Sequence, residues 1–294
     1  MHLNKKIGAV VVAYNPDTRL FLRTIHSIAP QVNTVCVVDN SPSSGELEMS
    51  LSSFGNCRYI SMGGNVGIAA AQNAGIRFLM EEGMDFVLFS DQDSEAPEGM
   101  VKSLVDAYMS LSASEKVFAL GPTPVDATSG RSFMRYGGNV IGETILNGKS
   151  YKEVHYIFSS MTLAPVGSFV DAGMLNESLF IDGVDSEWCF RGRHVSGAKV
   201  FVLDYLSFSH HLGENRQVMG RARSVATPFR VYHQFRNYFW LRRLPYTPSF
   251  WIKRNLKGYI QKAVYYPLFC TPRLKYAAAI LRGIRDGVMG KIGE

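Results

Sequence analysis

The sequence predicts an α/β fold: a mostly parallel sheet covered on both faces by helices. Three observations carry this. Strand-like and helix-like segments alternate through the first half of the chain, the order that builds βαβ units. The strand-like segments are continuous apolar runs, as in strands buried on both faces. Polar clusters stand directly after three of those runs, and in such sheets ligands bind beyond the carboxyl ends of the strands.

The first run, Ile7–Ala13, follows Lys5 and Lys6 and superficially resembles a secretory leader. It is short, and it ends in Asn15-Pro16 with no small-residue cleavage site, so it reads as a buried strand. Leu20, Ile25 and Ile28 give residues 17–29 a helical period. A second strand over 34–38 closes on Asp39-Asn40-Ser41-Pro42, a turn sequence. A short third strand covers 58–61. Asn65 can then cap a helix over 66–82, with Gly83 as its stop. Residues 86–90 form a fourth strand ending at Asp91, and 97–111 a further helix. Residues 121–166 are richer in Gly, Ser and Thr and show no clear period. From Pro228 onward the chain is aromatic and basic, with Pro245, Pro248, Pro267 and Pro272 dividing it into short helical pieces. The expected division is a catalytic domain over 1–225 and a helical region over 226–294.

Composition narrows the function classes. A chain of 294 residues that is 46% hydrophobic can build one large core plus an appendage. With 19% charged and 12% aromatic residues it is not of disordered type. Cys36, Cys57, Cys189 and Cys270 form no CxxC pair, which argues against a zinc ribbon or a disulfide framework and suits a reducing compartment. No stretch is long and apolar enough to span a bilayer. The net charge of +6 conceals two unlike halves. Residues 221–294 hold 15 Lys and Arg against 2 Asp and Glu, whereas residues 1–220 hold 16 against 23. An acidic front and a basic tail point to two different jobs.

Four clusters bear on chemistry. Asp91-Gln92-Asp93 follows a buried strand, and two carboxylates there can hold a divalent cation whose other positions are filled by phosphate oxygens and water. An isolated DxD is as readily a solvated turn; the strand before it and the neighbouring strand-end clusters favour the site. Asp39 can accept the N3 hydrogen of a pyrimidine or simply stabilise its turn. The glycine-rich stretch from Met62 to Gly75, with Asn65 and Asn73, suits either close helix–sheet packing or an anion at a helix N-terminus. The segment from Phe180 to Arg191 gathers Asp182, Asp185, Glu187, Trp188 and Arg191. A carboxylate there can act as general base toward a hydroxyl, or complement a helix dipole. The adjacent histidines His210 and His211 can complete a metal site or meet a phosphate.

Together these motifs resemble the inverting family-2 glycosyltransferases with a GT-A fold. The resemblance rests on Val10 to Asn15, Val37 to Asn40, Gly64 to Gly67 leading to Asn73, Asp91-Gln92-Asp93, and Asp185 within Asp-Ser-Glu-Trp. It covers about the first 215 residues in the expected order. The stretch from Phe180 to Trp188, the His-His-Leu-Gly run and Phe235-Arg236-Asn237-Tyr238 are similar to bacterial rhamnosyltransferases of polysaccharide and O-antigen assembly.

The resemblance implies a nucleotide-sugar donor, dTDP-L-rhamnose, and a manganese or magnesium ion. It implies that Ala13 and Tyr14 flank the nucleoside, Asp39 reads the pyrimidine, and Asn65, Asn73 and Asp91 contact the donor. Asp93 and Asp91 would hold the metal, with His210 or, second to it, His211. Asp185 would be the catalytic base. The family often has Glu-Asp at the base motif, whereas Val184 precedes Asp185 here, which leaves Asp182 as an alternative.

The tail suits helices lying on anionic lipid, because Phe, Tyr and Trp alternate with Arg and Lys. A peripheral place on the cytoplasmic face of the plasma membrane, and a saccharide or lipid-diphosphate-linked acceptor, would follow. A homo-oligomer interface or a cap on the catalytic domain is the competing use. Nucleic-acid binding is not expected, since no recognition motif accompanies the charge. Three other functions compete: the same fold with a UDP-sugar donor, a nucleotidyltransferase, and a non-catalytic scaffold. The nucleotidyltransferase lacks its expected basic glycine-rich loop after the first strand.

Overall fold

The computed structural model describes residues 5–42, 46–126, 139–210, 215–218 and 221–291. A nine-stranded sheet runs through it. Its first quartet is parallel: β1 (Ile7–Ala13), β2 (Thr34–Asp39), β3 (Cys57–Ser61) and β4 (Phe86–Asp91), in the order β3-β2-β1-β4.

The order turns at β1, because β2 lies on one side of it and β4 on the other. That is where an open α/β sheet opens a crevice at its carboxyl edge. Side chains of β1 alternate between faces, as strand geometry demands. Ala9 and Val11 join the core under α1 (Thr18–Ile28) and α4 (Met100–Leu111). Val10 and Val12 join the core under α3 (Ile68–Glu81). The small residues of α3 serve this contact. A Cβ on Gly75 would lie 2.7 Å from Val10 Cγ1, so only glycine lets helix and sheet approach so closely. The N-terminus of α3 lies at Ile68, later than expected. Gly67, at φ +88°, is its cap, while Asn65 Oδ1 accepts the Gly67 N–H at 3.1 Å.

The remaining strands fill the region that showed no period. β5 (Val117–Asp126) is parallel to β9 (Lys199–His210). β8 (Leu163–Pro165) is antiparallel to both β4 and β5. β7 (Lys149–Val154) is antiparallel to β9 and to β6 (Val140–Leu146). The α/β expectation holds, but parallel pairing is confined to the first quartet and to β5–β9.

From residue 226 the chain forms α7 (Pro228–Leu241), α8 (Ser249–Phe269) and α9 (Arg273–Met289). These are longer than the expected short pieces. Pro248 and Pro272 stand just before α8 and α9, where a missing N–H costs nothing, and Pro267 falls in the last turn of α8. α9 crosses α7 through two glycines. A Cβ on Gly283 would lie 2.6 Å from Tyr232 O, and one on Gly287 would lie 2.4 Å from Arg236 O. α7 also packs on the sheet unit, since Tyr238 and Leu241 share a core with Phe190 of α6 (Val184–Ser196) and Trp251 of α8.

Candidate active site

β1, β2 and β4 end side by side, with Ala13 opposite Asp39 and Val12 opposite Asp91. Two carboxylates therefore flank the end of the central strand at one level of the sheet. Asp39 is 2% exposed. Its Oδ1 accepts the Ser41 N–H at 2.9 Å and its Oδ2 accepts the Tyr59 hydroxyl at 2.8 Å. It lines a cleft of ≈ 360 Å³ together with Asn15, Ser41 and Glu46. Asn15 adopts a left-handed φ of 44°, and its N–H donates to Ser41 Oγ at 2.8 Å. Ala13 is buried, and its carbonyl accepts the Asn40 N–H at 2.7 Å. Tyr14, next to Asn15 in the chain, is 45% exposed.

The Asp91-Gln92-Asp93 turn is pinned by its central residue. Gln92 Oε1 accepts the Tyr14 N–H at 2.7 Å, and the Gln92 carbonyl accepts the Thr24 hydroxyl at 3.1 Å. Asp91 and Asp93 on either side are both partly exposed.

Asp185 stands in the first turn of α6, and its Oδ2 accepts the Ser159 N–H at 3.2 Å. Phe89, Ile157 and Trp188 line the space around it. Burial pushes its carboxyl up to about 6, helped by the charges of Asp91 and Asp182 and opposed by its own amide and that of Ser159. A carboxylate loses hydration among apolar walls and feels like charges, and both effects favour its protonated form. Phe89 stands two residues before Asp91 on β4 and shares this space with Asp185, so α6 brings Asp185 toward the carboxyl end of β4.

The loop before α6 is unusual, with left-handed φ values at Phe180, Asp182 and Gly183. Two buried side chains of α7 hold it. Asn237 Nδ2 donates to the carbonyls of Leu179, Ile181 and Asp182 at 2.9, 2.7 and 2.8 Å. Arg236 donates to the carbonyls of Ser178 and Leu179 at 2.8 and 3.0 Å. Asp182 is tied into the same brace, accepting two bonds from Arg230, both at 2.9 Å. Both Asp182 oxygens are therefore occupied by Arg230.

Other expected site residues have structural partners. Asn73 is 1% exposed; its amide donates to Leu175 O and Glu177 Oε1 at 2.9 and 2.8 Å, and its Oδ1 accepts the Leu175 N–H at 3.0 Å. Asn65 accepts from the Asn40 amide at 3.1 Å and so couples two strand-end turns. Glu187 is a buried partner of Arg191, at 2.8 and 3.0 Å, and accepts the Tyr246 hydroxyl at 2.8 Å. Arg191 also donates to the carbonyls of Ala172 and Met174. Trp188 stacks on Phe169 and donates to Gly173 O at 3.0 Å. His210 closes β9, but its side chain and all of His211 lie outside the described residues.

Among the described residues, no three His, Cys, Asp or Glu side chains form a metal-holding group. Sequence reading missed the loop brace of Arg230, Arg236 and Asn237. A polar Arg-Asn pair within an aromatic helix was its only local signal.

The glycosyl transferase family 2 pattern matches residues 9–169. The chain is 32% identical to the dTDP-rhamnosyl transferase RfbF of Shigella flexneri, over 84% of this chain and 83% of that one. Solved structures share the fold at low identity. S. aureus TarS 1-349 in complex with UDP-GlcNAc gives a TM-score of 0.59 at 15% identity, covering 98% of this chain and 84% of that one. GalNAc-T7 with UDP, GalNAc and Mn2+ gives 0.55 at 14%, covering 90% of this chain and 57% of that one. With carboxylates at the strand ends on either side of β1 and more than half its length matched by the family pattern, this chain belongs to glycosyl transferase family 2 and is a glycosyltransferase.

Proposed function

We propose that the enzyme transfers L-rhamnose from dTDP-L-rhamnose, with inversion, to a lipid-diphosphate-linked saccharide in cell-surface polysaccharide assembly. The observation that carries the reaction is Asp185, a carboxyl raised to about 6 by burial and lodged beside Phe89 near the carboxyl end of β4. A general base works best when its pKa lies near the operating pH. The likeness to RfbF supports the sugar. In this reading the nucleoside occupies the cleft at Asn15, Asp39 and Ser41, and the exposed Tyr14 flanks it. Asp185 takes the proton of the acceptor hydroxyl. The acceptor oxygen then attacks the anomeric carbon from the face opposite the nucleotide. The bond to the diphosphate oxygen breaks, and dTDP leaves with the electron pair.

The donor set at the turn fits an oxygen-loving cation. Magnesium or manganese is held by one or two carboxylates when phosphate oxygens and water complete its shell, and Asp91 and Asp93 supply that number. A bound cation there would neutralise the departing diphosphate.

A membrane-facing tail is part of the same proposal. Leu256, Ile260, Val264 and Leu268 recur every four residues along α8 and are exposed, beside Lys253 and Lys257. An apolar ridge edged by lysines suits an anionic bilayer surface. No helix among the described residues is long and apolar enough to cross a membrane.

Calorimetric titration with dTDP-L-rhamnose, UDP-galactose and UDP-N-acetylglucosamine tests the donor. The rhamnosyl donor should bind best, should need manganese, and should lose affinity in Asp93→Ala. Preference for a UDP-sugar contradicts the sugar assignment, and retained anomeric configuration in the product, read by NMR, contradicts the mechanism.

A further inference from the structure

The turn over residues 158–162 touches the proposed base and has no part in the donor scheme. It lies just before β8, whose Leu163 pairs antiparallel with Leu88, so the residues before Leu163 run alongside the carboxyl end of β4. The turn closes on itself: the Thr162 N–H donates to Ser159 O at 2.9 Å, and the Thr162 hydroxyl to Phe158 O at 2.6 Å. Three fastenings hold it. The Thr162 carbonyl accepts the Phe89 N–H at 2.8 Å, two residues before Asp91. Met161 is fully buried in the core under α1 and α4, with a left-handed φ of 57°. A residue other than glycine stays in that conformation only where its surroundings over-determine it.

The third fastening is a pair of hydroxyls. Ser160 Oγ donates to Ser94 Oγ at 3.0 Å, and the two residues are 8% and 0% exposed. Ser94 follows Asp93 directly, so this bond runs from the Asp91-Gln92-Asp93 turn to the turn beside the base. One residue before Ser160, the Ser159 N–H donates to Asp185 Oδ2 at 3.2 Å. A backbone N–H lies in a rigid peptide plane, so its aim is set by the turn that carries it. This N–H favours the ionised carboxylate, against burial and the charges of Asp91 and Asp182. Hydroxyls buried against each other satisfy their hydrogen bonds inside the fold, and here that bond joins two functional turns.

We propose that Ser160 is a positioning residue: through Ser94 on one side and the Ser159 N–H on the other, it locks the Asp185 carboxyl in place relative to the Asp91-Gln92-Asp93 turn. The lock sets how far the carboxyl stands from the strand-end carboxylates. Its effect on turnover rests on Asp185 being the base of the transfer; its effect on the carboxyl itself does not.

The test follows the Asp185 carboxyl by NMR of the full chain with isotope-labelled aspartate carboxyls, with chelator present so that the turn carries no cation. Asp185→Asn assigns the signal, which should titrate at about 6 in the wild type. In Ser160→Ala the loosened Ser159 N–H should move that titration up by about half a pH unit or more. Release of dTDP from dTDP-L-rhamnose into water, read with manganese, should slow by about tenfold or more, with dTDP affinity unchanged. In a Ser94→Ala background, Ser160→Ala should change neither quantity further, because the bond is already gone. Ser160→Cys, close to serine in size, takes its place if the alanine variant does not fold. An unmoved titration overturns the proposal even where the melting temperature falls, since the pair is then a structural contact alone. A further shift in the Ser94→Ala background overturns it as well. If the carboxyl moves and dTDP release does not change, the base reading falls and the positioning stands.

Discussion

Asp185 carries a cost that fits the proposed role of base. Its carboxyl is raised from the ordinary range to about 6, so the folded chain holds a proton that the unfolded chain releases. The contribution of this one group to stability is then fully present below the unfolded value and is lost as pH rises through about 6. At two units, the ionised form costs the fold about 2–3 kcal/mol. The same displacement sets the rate profile. As the proposed base, Asp185 is ionised above about pH 6, so kcat/KM should fall tenfold per unit as pH drops below that point. A pH–rate measurement on the wild-type enzyme checks this, and a rate independent of pH down to 5 contradicts it.

Single residues were legible where local pattern decides their place. Asp39 and Asp91 end apolar runs, and Asp185 opens a helix, so their location follows from neighbours in sequence. Asn73 was not legible in this way. Its partners, Leu175 and Glu177, lie about a hundred residues away, and nothing in an alanine-rich helix shows that its amide will face them.

At the level of elements, α7 is a brace for the loop that leads into Asp185, the proposed base. Asn237 satisfies three carbonyls of a loop that holds left-handed conformations, and Arg236 satisfies two more bonds beside it. Removing a buried partner leaves those carbonyls without a donor, which costs about 1–3 kcal/mol. Asn237→Ala should therefore lower stability by that order in denaturant titration. It should also lower turnover more than donor affinity, because Asp185 loses its support while the strand ends keep theirs. Unchanged turnover would remove α7 from the catalytic account.

The alternation of the first quartet was readable because each parallel strand is a continuous apolar run. β5 was not, because Pro122 and Pro124 interrupt it and its partner β9 follows some eighty residues later. β6 and β7 at the sheet edge are largely half-exposed and carry no apolar run to mark them.

The whole molecule joins an acidic front to a basic tail, and the structure gives this asymmetry a direction. Asp39 and Asp91 stand at the carboxyl edge of the sheet, while α7, α8 and α9 carry cations of the tail, with Asp286 held by Arg285 and Tyr232. An exposed apolar ridge along α8 among those cations is expected to bring the chain to anionic lipid. The full chain should co-sediment with vesicles containing phosphatidylglycerol, and Ile260→Asp with Val264→Asp should abolish this. Equal sedimentation with neutral vesicles would contradict an electrostatic contribution.

The central claim is that Asp185 is the base of a sugar transfer, and the turnover of Asp185→Asn at saturating donor tests it most directly. The account expects donor affinity to hold and thermal stability above pH 7 to rise, because the costly charge is gone. Turnover should fall by roughly 10²–10⁴-fold. Turnover within tenfold of wild type, in a folded variant that binds donor normally, would contradict it.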